Sequence, residues 1–417
     1  MSASAASART LLVVSAARDA LPLITEARRL GLRVVACDGT PDAPGFGAAH
    51  AGLVAPVDDP DSVVEAARAF AARTSIAGVL AAGVEVPCTV AAVADALGLA
   101  GMPLAVAAVL ADRLRTRRRL RDAGIPVPWT AAVPDVDTLR RLAGRRDGAV
   151  VVRPVERHAM GALCLGPRVD PGWALAQAAF ASPSGRVMVE DLVQGPELAA
   201  HVLLADGRAR LLALGDRALA AGSAPFLVEE IVTWPSCHER ALGEDVETLV
   251  ASAAGALGLR RGVLRASVVL GADGPVLLAL ATGLGGGYAC THAIPLATGI
   301  DLLDVAVRVA CGDDVSVSPA KLSGRSVACR TLFPPSGLVT EISGVAEAAT
   351  SEGVVAADVL IETGMRVDLA TTRRHAAGVV VAVGSTAAAA RAHAAAAADC
   401  VGIVTRAPLV RSPIPAQ

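Results

Sequence analysis

The chain has 417 residues, enough for two to four domains and a large core. Hydrophobic residues make up 53 %, mostly Ala, Val and Leu, and aromatics only 2 %. A net charge of −2 leaves no basic surface of the kind that binds nucleic acid. The only lysine is Lys321, so nearly every other fixed cation is an arginine. The eight cysteines include no Cys-x-x-Cys pair, which predicts reduced, mostly buried thiols rather than a metal or disulfide framework. The first ten residues, MSASAASART, lack the basic start and apolar core of a signal peptide. The longest uncharged run, 274–300, holds several glycines and Pro295, which suit a loop better than a membrane span. A cytoplasmic protein with no membrane partner is the expectation.

In chain order, residues 11–15 read as a strand and 20–30 as an amphipathic helix ending at Gly31. A second strand covers 33–37 and runs into Asp38. Helices at 64–73 and 88–97 flank a strand at 77–81, and Glu85 follows that strand. This alternation predicts a parallel sheet with helices on both faces, a Rossmann-like α/β unit. Asp38 stands about twenty residues past the first turn, where a dinucleotide-binding fold holds a ribose. The turn itself is Ser15-Ala16-Ala17-Arg18, without the glycines that let a pyrophosphate approach, so a dinucleotide enzyme is the weaker reading.

From Leu104 the pattern changes. A helix is predicted over 105–123, with a basic cluster from Arg113 to Arg121, stopped by Gly124 and Ile125-Pro126-Val127-Pro128. Residues 149–153 form an apolar strand ending on Arg153 before Pro154, followed by the segment 155–161, in which Glu156 brings a negative charge. The next strand, 186–192, continues as Val193-Gln194-Gly195-Pro196-Glu197. A hairpin follows at 201–204 and 211–214, turning at Asp206-Gly207, and then the segment 226–235. A long helix over 244–257 closes at Gly258. Strands 262–270 and 276–281 joined by Asp273-Gly274 are a strong hairpin signal. They lead into the glycine loop 283–287 and a polar segment with His292. After a linker at 319–324, residues 327–405 read as a third unit with Phe333-Pro334-Pro335, a Ser336-Gly337 turn, a strand at 379–383, an Ala-rich helix at 386–398 and a strand at 400–405.

The order of these motifs resembles the ATP-grasp superfamily, in particular its carboxylate–amine and L-amino-acid ligases, and is also similar to biotin-carboxylase-like proteins. The resemblance covers nearly the whole chain. It implies a pre-ATP-grasp α/β domain (1–103), a central ATP-grasp α+β domain (104–316), a C-terminal α+β ligase-type domain (325–406) and a disordered tail (407–417). It places ATP on Arg113, Arg153 and the hinge of Glu190, Asp191, Leu192 and Val193, with Glu197 on the ribose. It assigns Glu85, Gly285, Gly286, Gly287 and His292 to the substrate side. The metal ligands of the family hairpin fall on Ser267, Ala279 and Ala281, none of them a carboxylate, and Gly283 stands where the family has an arginine. Mg²⁺ is a hard cation that prefers carboxylate oxygens, so ATP without an intact metal site is expected. Arg265, two residues before Ser267 and on the same face, is the candidate for a catalytic fixed cation. Glu229 and Glu230 are alternative metal ligands that fold over the site.

The activity implied is an ATP-dependent joining of a small carboxylate, such as an amino acid, to an amine through an acyl-phosphate. The other reading is a non-catalytic relative that binds nucleotide or a carboxylate and supports a partner. A homodimer is the usual state of relatives.

Overall fold

The structure, a computed structural model, describes residues 9–156, 162–317 and 323–406. The segment 157–161, most of the expected linker at 319–324 and the tail 407–417 lie outside the described residues.

The N-terminal part is a parallel sheet of four strands in the spatial order Ala51–Val54, Arg33–Asp38, Thr10–Val14, Ile76–Ala81. Thr10–Val14 is buried on both faces, as a central parallel strand must be. Ala51–Val54 has no counterpart in the sequence reading, because a four-residue edge strand that is half exposed carries little pattern. Helices Leu21–Arg29, Pro60–Ala71 and Pro87–Leu97 cover the sheet. Asp38 does not face a ribose. Its carboxylate accepts from the amides of Ala16 (2.8 Å) and Thr40 (3.0 Å), and so closes the first turn on itself.

The helix predicted over 105–123 is two helices, Leu104–Leu110 and Arg113–Asp122. Asp112 is extended (φ −117°, ψ 108°), and its side chain accepts from the Arg115 amide. An aspartate that caps a helix start also ends the preceding one. Arg113 thereby becomes the first residue of a helix.

Next comes an antiparallel sheet in the order Thr130–Val133, Val187–Asp191, Val150–Pro154, Leu163–Leu165. A second antiparallel sheet of eight strands forms the body of the molecule. It runs from Gly274–Thr282 and Gly262–Gly271 through Glu197–Ala205, Arg208–Leu219 and Glu229–Trp234 to Ser326–Leu332, Gly378–Gly384 and Val354–Val359. Helix Glu239–Leu257 begins five residues earlier than predicted and packs Val246, Val250, Ala253, Ala254 and Leu257 against this sheet. Helix Ala387–Cys400 covers its far end through Ala390, Ala394 and Ala397. A small sheet of Arg366–Val367, Gly337–Ser343 and Gly402–Arg406 completes the C-terminal part. The fold is thus an α/β unit followed by two α+β units, as expected. Among the described residues no helix is long and apolar enough to cross a membrane. All eight cysteines are free thiols.

Candidate functional site

Helix Arg113–Asp122 points its N-terminal turn at the sheet of Val150–Pro154 and Val187–Asp191. Arg113 and Arg117 are four residues apart, so they share one face, and both are buried. Arg153 comes from the strand beside Glu190, whose register partner is Val151. Glu190 is buried between them: one oxygen accepts from Arg117 Nη2 at 3.0 Å and the other lies 2.8 Å from Arg153 Nε. Arg117 also donates to the carbonyls of Leu277 (2.8 Å) and Leu278, which ties the helix to the hairpin. Three guanidinium groups therefore face one carboxylate. Burial, and then repulsion from Arg153, push Arg113 down to about 9. Its Nε has no hydrogen-bond partner among the described residues. A buried charge without a full set of partners is unfavourable by several kcal/mol, on the order of what one bound anion returns. The cluster has the composition of a phosphate site.

The segment leading out of Val187–Asp191 is the expected base slot, and its details differ from expectation. Glu190 lines the first cavity and is at the same time the counter-ion of the arginine cluster. The Asp191 carboxylate is held by Arg146 (2.6 and 2.8 Å), which lies over the Trp129 ring at 4.6 Å. The amides of Asp191 and Leu192 donate to Trp129 O and Ala149 O, both at 3.0 Å. A base edge in this slot would have to use carbonyls and the Val193 amide. Glu197 lines the same cavity, with an oxygen 3.7 Å from Arg217 Nη1. Glu156, expected near the phosphates, is instead held by Ser182, Ser184 and Arg186.

The hairpin Gly262–Gly271/Gly274–Thr282 forms the floor. Ser267 pairs with Ala279 and Arg265 with Ala281, so all four positions singled out in the sequence line one cavity. No carboxylate stands among them. The Ser267 hydroxyl accepts from Arg217 Nη1 at 3.0 Å. Arg217 Nε donates to Glu229 at 2.5 Å, and Arg373 Nη1 lies 3.0 Å from the other Glu229 oxygen. Burial opposes the Glu229 charge, but Arg217 and Arg373 overcome it and hold the carboxyl down at about 2. Arg265 donates to Glu85 at 2.9 Å and to Gly283 O at 3.3 Å. Beside it, burial and Arg265 push the His201 imidazole down to about 3, so it is neutral at neutral pH. Of the two alternative metal ligands, Glu229 faces the site while Glu230 pairs with Arg330 at 2.8 Å, away from it.

The glycine loop fits these side chains. A Cβ on Gly285 would lie 2.7 Å from Arg265 Nη1, and one on Gly287 2.6 Å from Arg373 Nη2; Gly286 packs equally closely on Asp19. Both Gly285 (φ 71°) and Gly287 (φ 88°) are left-handed as well.

Two cavities meet here. The first, of about 210 Å³, is lined by Arg113, Arg153, the 190–193 segment and the hairpin floor. The second, of about 910 Å³, is lined by Gly285, Gly286, Gly287 and His292, and by Asp19, Tyr288 and Asp358. Glu85, Arg217, Glu229, Arg265 and Arg373 border both. His292 therefore stands in the larger cavity only, against Tyr288 (ring centroids 5.1 Å apart) and bonded to Thr291 at 2.7 Å. The sequence reading missed Arg117, Arg217 and Arg373. A lone arginine at the end of an apolar strand, LLALGDRAL, was the available signal for Arg217; Arg373, in a loop, left none.

Similarity to known proteins agrees with this geometry. Residues 330–406 match the family described as L-amino acid ligase C-terminal domain 2. A curated relative, the formate-dependent phosphoribosylglycinamide formyltransferase of Burkholderia thailandensis, is 29 % identical over 197 residues, 45 % of this chain. The match spans 47 % of that relative's length. The L-amino acid ligase from Bacillus licheniformis superimposes with a TM-score of 0.81 at 20 % identity, covering 95 % of this chain and 99 % of its own. Phosphoribosylglycinamide synthetase from Anaerococcus prevotii gives 0.72 at 15 %, with 95 % and 100 % covered. N5-carboxyaminoimidazole ribonucleotide synthetase from Thermotoga maritima gives 0.72 at 14 %, again with 95 % and 100 %. The chain shares the fold of these ligases and synthetases, and its residues 330–406 match the C-terminal domain family of L-amino acid ligases.

Proposed function

We propose that this chain binds ATP in the smaller cavity and uses it to activate a small carboxylate held in the larger one, for transfer to an amine. The observation that carries the reading is the surplus of positive charge over Glu190 at the buried Arg113 and Arg117 and the partly buried Arg153. ATP is the anion that fits an arginine cluster placed at the foot of an extended, apolar strand end. The residues present on the hairpin do not fit Mg²⁺: Ala279 and Ala281 offer no side-chain donor, and Ser267 is engaged by Arg217. No step is therefore assigned to a metal.

Arg113 and Arg153 would hold the inner phosphates, and Leu192 and Val193 the base. Arg265 and Arg373, at the seam of the two cavities, would face the terminal phosphate and the incoming carboxylate together. In the reaction a carboxylate oxygen attacks the terminal phosphorus and ADP leaves. An amine then attacks the acyl carbon, phosphate leaves, and the amine loses a proton. Fixed donors aimed at developing charge stabilise such steps without reorganising. Gly285, Gly286, Gly287 and His292 line the carboxylate side, and an amino acid is the proposed substrate class. The reduced thiols fit a cytoplasmic enzyme, and a homodimer is the proposed assembly.

The test is calorimetric titration with ATP and an ADP-release assay over a pool of amino acids. Arg153→Ala and Glu197→Ala should each weaken ATP binding about tenfold or more, the worth of a charged hydrogen bond. Unchanged affinity in both sinks the assignment. ATP binding without ADP release over the whole pool would favour the non-catalytic relative instead.

A further inference from the structure

The seam between the cavities is built from cations where a polyphosphate site ordinarily uses a metal. Arg217, Arg265 and Arg373 arrive from strand Arg208–Leu219, strand Gly262–Gly271 and the turn Arg373–His375, and all three border both cavities. Each is aimed by a carboxylate: Arg217 and Arg373 by Glu229, Arg265 by Glu85. Gly285 and Gly287 leave the space that Arg265 and Arg373 occupy. The neutral His201 backs Arg265 without adding charge. By contrast, the carboxylates that line the first cavity already lie against arginines: Glu85 against Arg265, Glu190 against Arg117 and Arg153, Asp191 against Arg146, and Glu197 and Glu229 against Arg217. The Ser267 hydroxyl and Glu229 are both bound by Arg217, and the hairpin face beside them is Ala279 and Ala281. The one cluster of three metal-capable side chains among the described residues, Asp216, Cys237 and His238, borders neither cavity. A divalent cation would have to displace guanidinium groups from Glu229, a carboxylate that two arginines already satisfy.

We propose that Arg217, Arg265 and Arg373 take the place of the divalent cation, so that the site binds the uncomplexed polyphosphate of a nucleoside triphosphate. The proposal rests on the nucleotide reading above and deepens it. A guanidinium pairs with two phosphate oxygens at once and carries its charge permanently; these three exceed Glu85 and Glu229 by one positive charge, and the neighbouring Arg113, Arg117 and Arg153 exceed Glu190 by two more, so the phosphates meet a net positive site without a bound ion. Binding should then be ionic-strength dependent and indifferent to Mg²⁺.

The experiment is calorimetric titration of the full chain with ATP in EDTA, and again with excess MgCl₂. The expected result is a Kd in EDTA equal to or tighter than that in MgCl₂. Inorganic triphosphate in EDTA should bind at the same site, competing with ATP. Arg373→Met, which leaves Glu229 its bond to Arg217, should weaken ATP binding in EDTA about tenfold. Ala279→Glu, which removes no existing ion pair, should weaken free ATP and introduce a Mg²⁺ requirement. Binding that is ten times tighter with MgCl₂ than in EDTA in the unaltered protein overturns the proposal and leaves the nucleotide reading standing. Absence of binding in both conditions overturns the two together.

Discussion

Arg113 offers the sharpest separation of stability from binding. It is 6 % exposed, its Nε has no hydrogen-bond partner among the described residues, and the charges acting on it include Arg153 and Arg117. The fall from its ordinary value to about 9 corresponds to about 5 kcal/mol of unfavourable environment for the charged form. At neutral pH the group is still protonated, so the nucleotide-free protein bears that strain. Replacing it with an apolar side chain of similar length, Arg113→Met, removes the strain but also removes some packing. Exchanges of buried charge for apolar groups return about 1–4 kcal/mol, and about 1–3 kcal/mol is expected here. In a chain of this size that raises the midpoint of thermal unfolding by roughly 2–5 °C. The same substitution removes a cation from the proposed phosphates and should weaken ATP binding by about 10- to 100-fold. Differential scanning fluorimetry without nucleotide, paired with calorimetric titration, reads both effects. A lower midpoint together with unchanged ATP affinity would refute the reasoning, because Arg113 would then be a structural cation that is well satisfied.

Glu190→Gln should do the opposite to stability, since it strips Arg117 and Arg153 of the carboxylate they share; a loss of about 3–5 kcal/mol is expected, seen as an earlier unfolding midpoint without nucleotide. An unchanged midpoint would mean that water satisfies these arginines. Stability should fall with acid in two windows. His201 is neutral in the fold and its pKa is lowered to about 3, so the unfolded chain gains a proton first, and stability is lost from about pH 6.5 downward, by about 3 kcal/mol at pH 4.5. Glu229, with its folded value lowered to about 2, contributes above the ordinary carboxylate range and loses that contribution as pH falls from about 4.5 to 2. Urea unfolding of the unaltered protein and of His201→Leu checks the assignment: the variant should lose clearly less stability between pH 6.5 and 4.5, keeping only the smaller loss from His292, whose imidazole burial also pushes down, and parallel profiles would rule out His201.

The strands and the metal-type hairpin were legible because they depend on short-range pattern. Alternation placed Arg265 and Ser267 on one face; the turn between Gly271 and Gly274 set the pairing as far as Val268 with Leu277, and a bulge at Leu278, which the sequence does not announce, brings Ser267 opposite Ala279. Arg113, Arg153 and Glu190 could be singled out in the sequence as separate positions, and only the packed structure shows them gathered, with Glu190 set against two arginines. What was not legible is what the fold brings from afar. Glu229 and Arg373 are neighbours only because the C-terminal segment folds back over the eight-stranded sheet. Arg217 reaches Ser267 across an intervening strand, a relation set by register rather than by spacing. The split helix at Asp112 was missed for a local reason: the apolar run before it and the basic run after it read as one helix until the cap is recognised.

The eight-stranded sheet has a consequence for anyone who would recombine this protein. Strand Glu229–Trp234 pairs directly with Ser326–Leu332, so the seam between the nucleotide-type and C-terminal parts is a row of backbone hydrogen bonds, not a hinge. Cutting near residue 317 would bare that strand edge and open a surface for uncontrolled pairing between molecules. It would also deprive Glu229 of Arg373. A chimera with a foreign C-terminal part must therefore inherit both a complementary edge and a cation reaching the same carboxylate, and exchange of substrate preference by swapping this part is confined to donors that carry both.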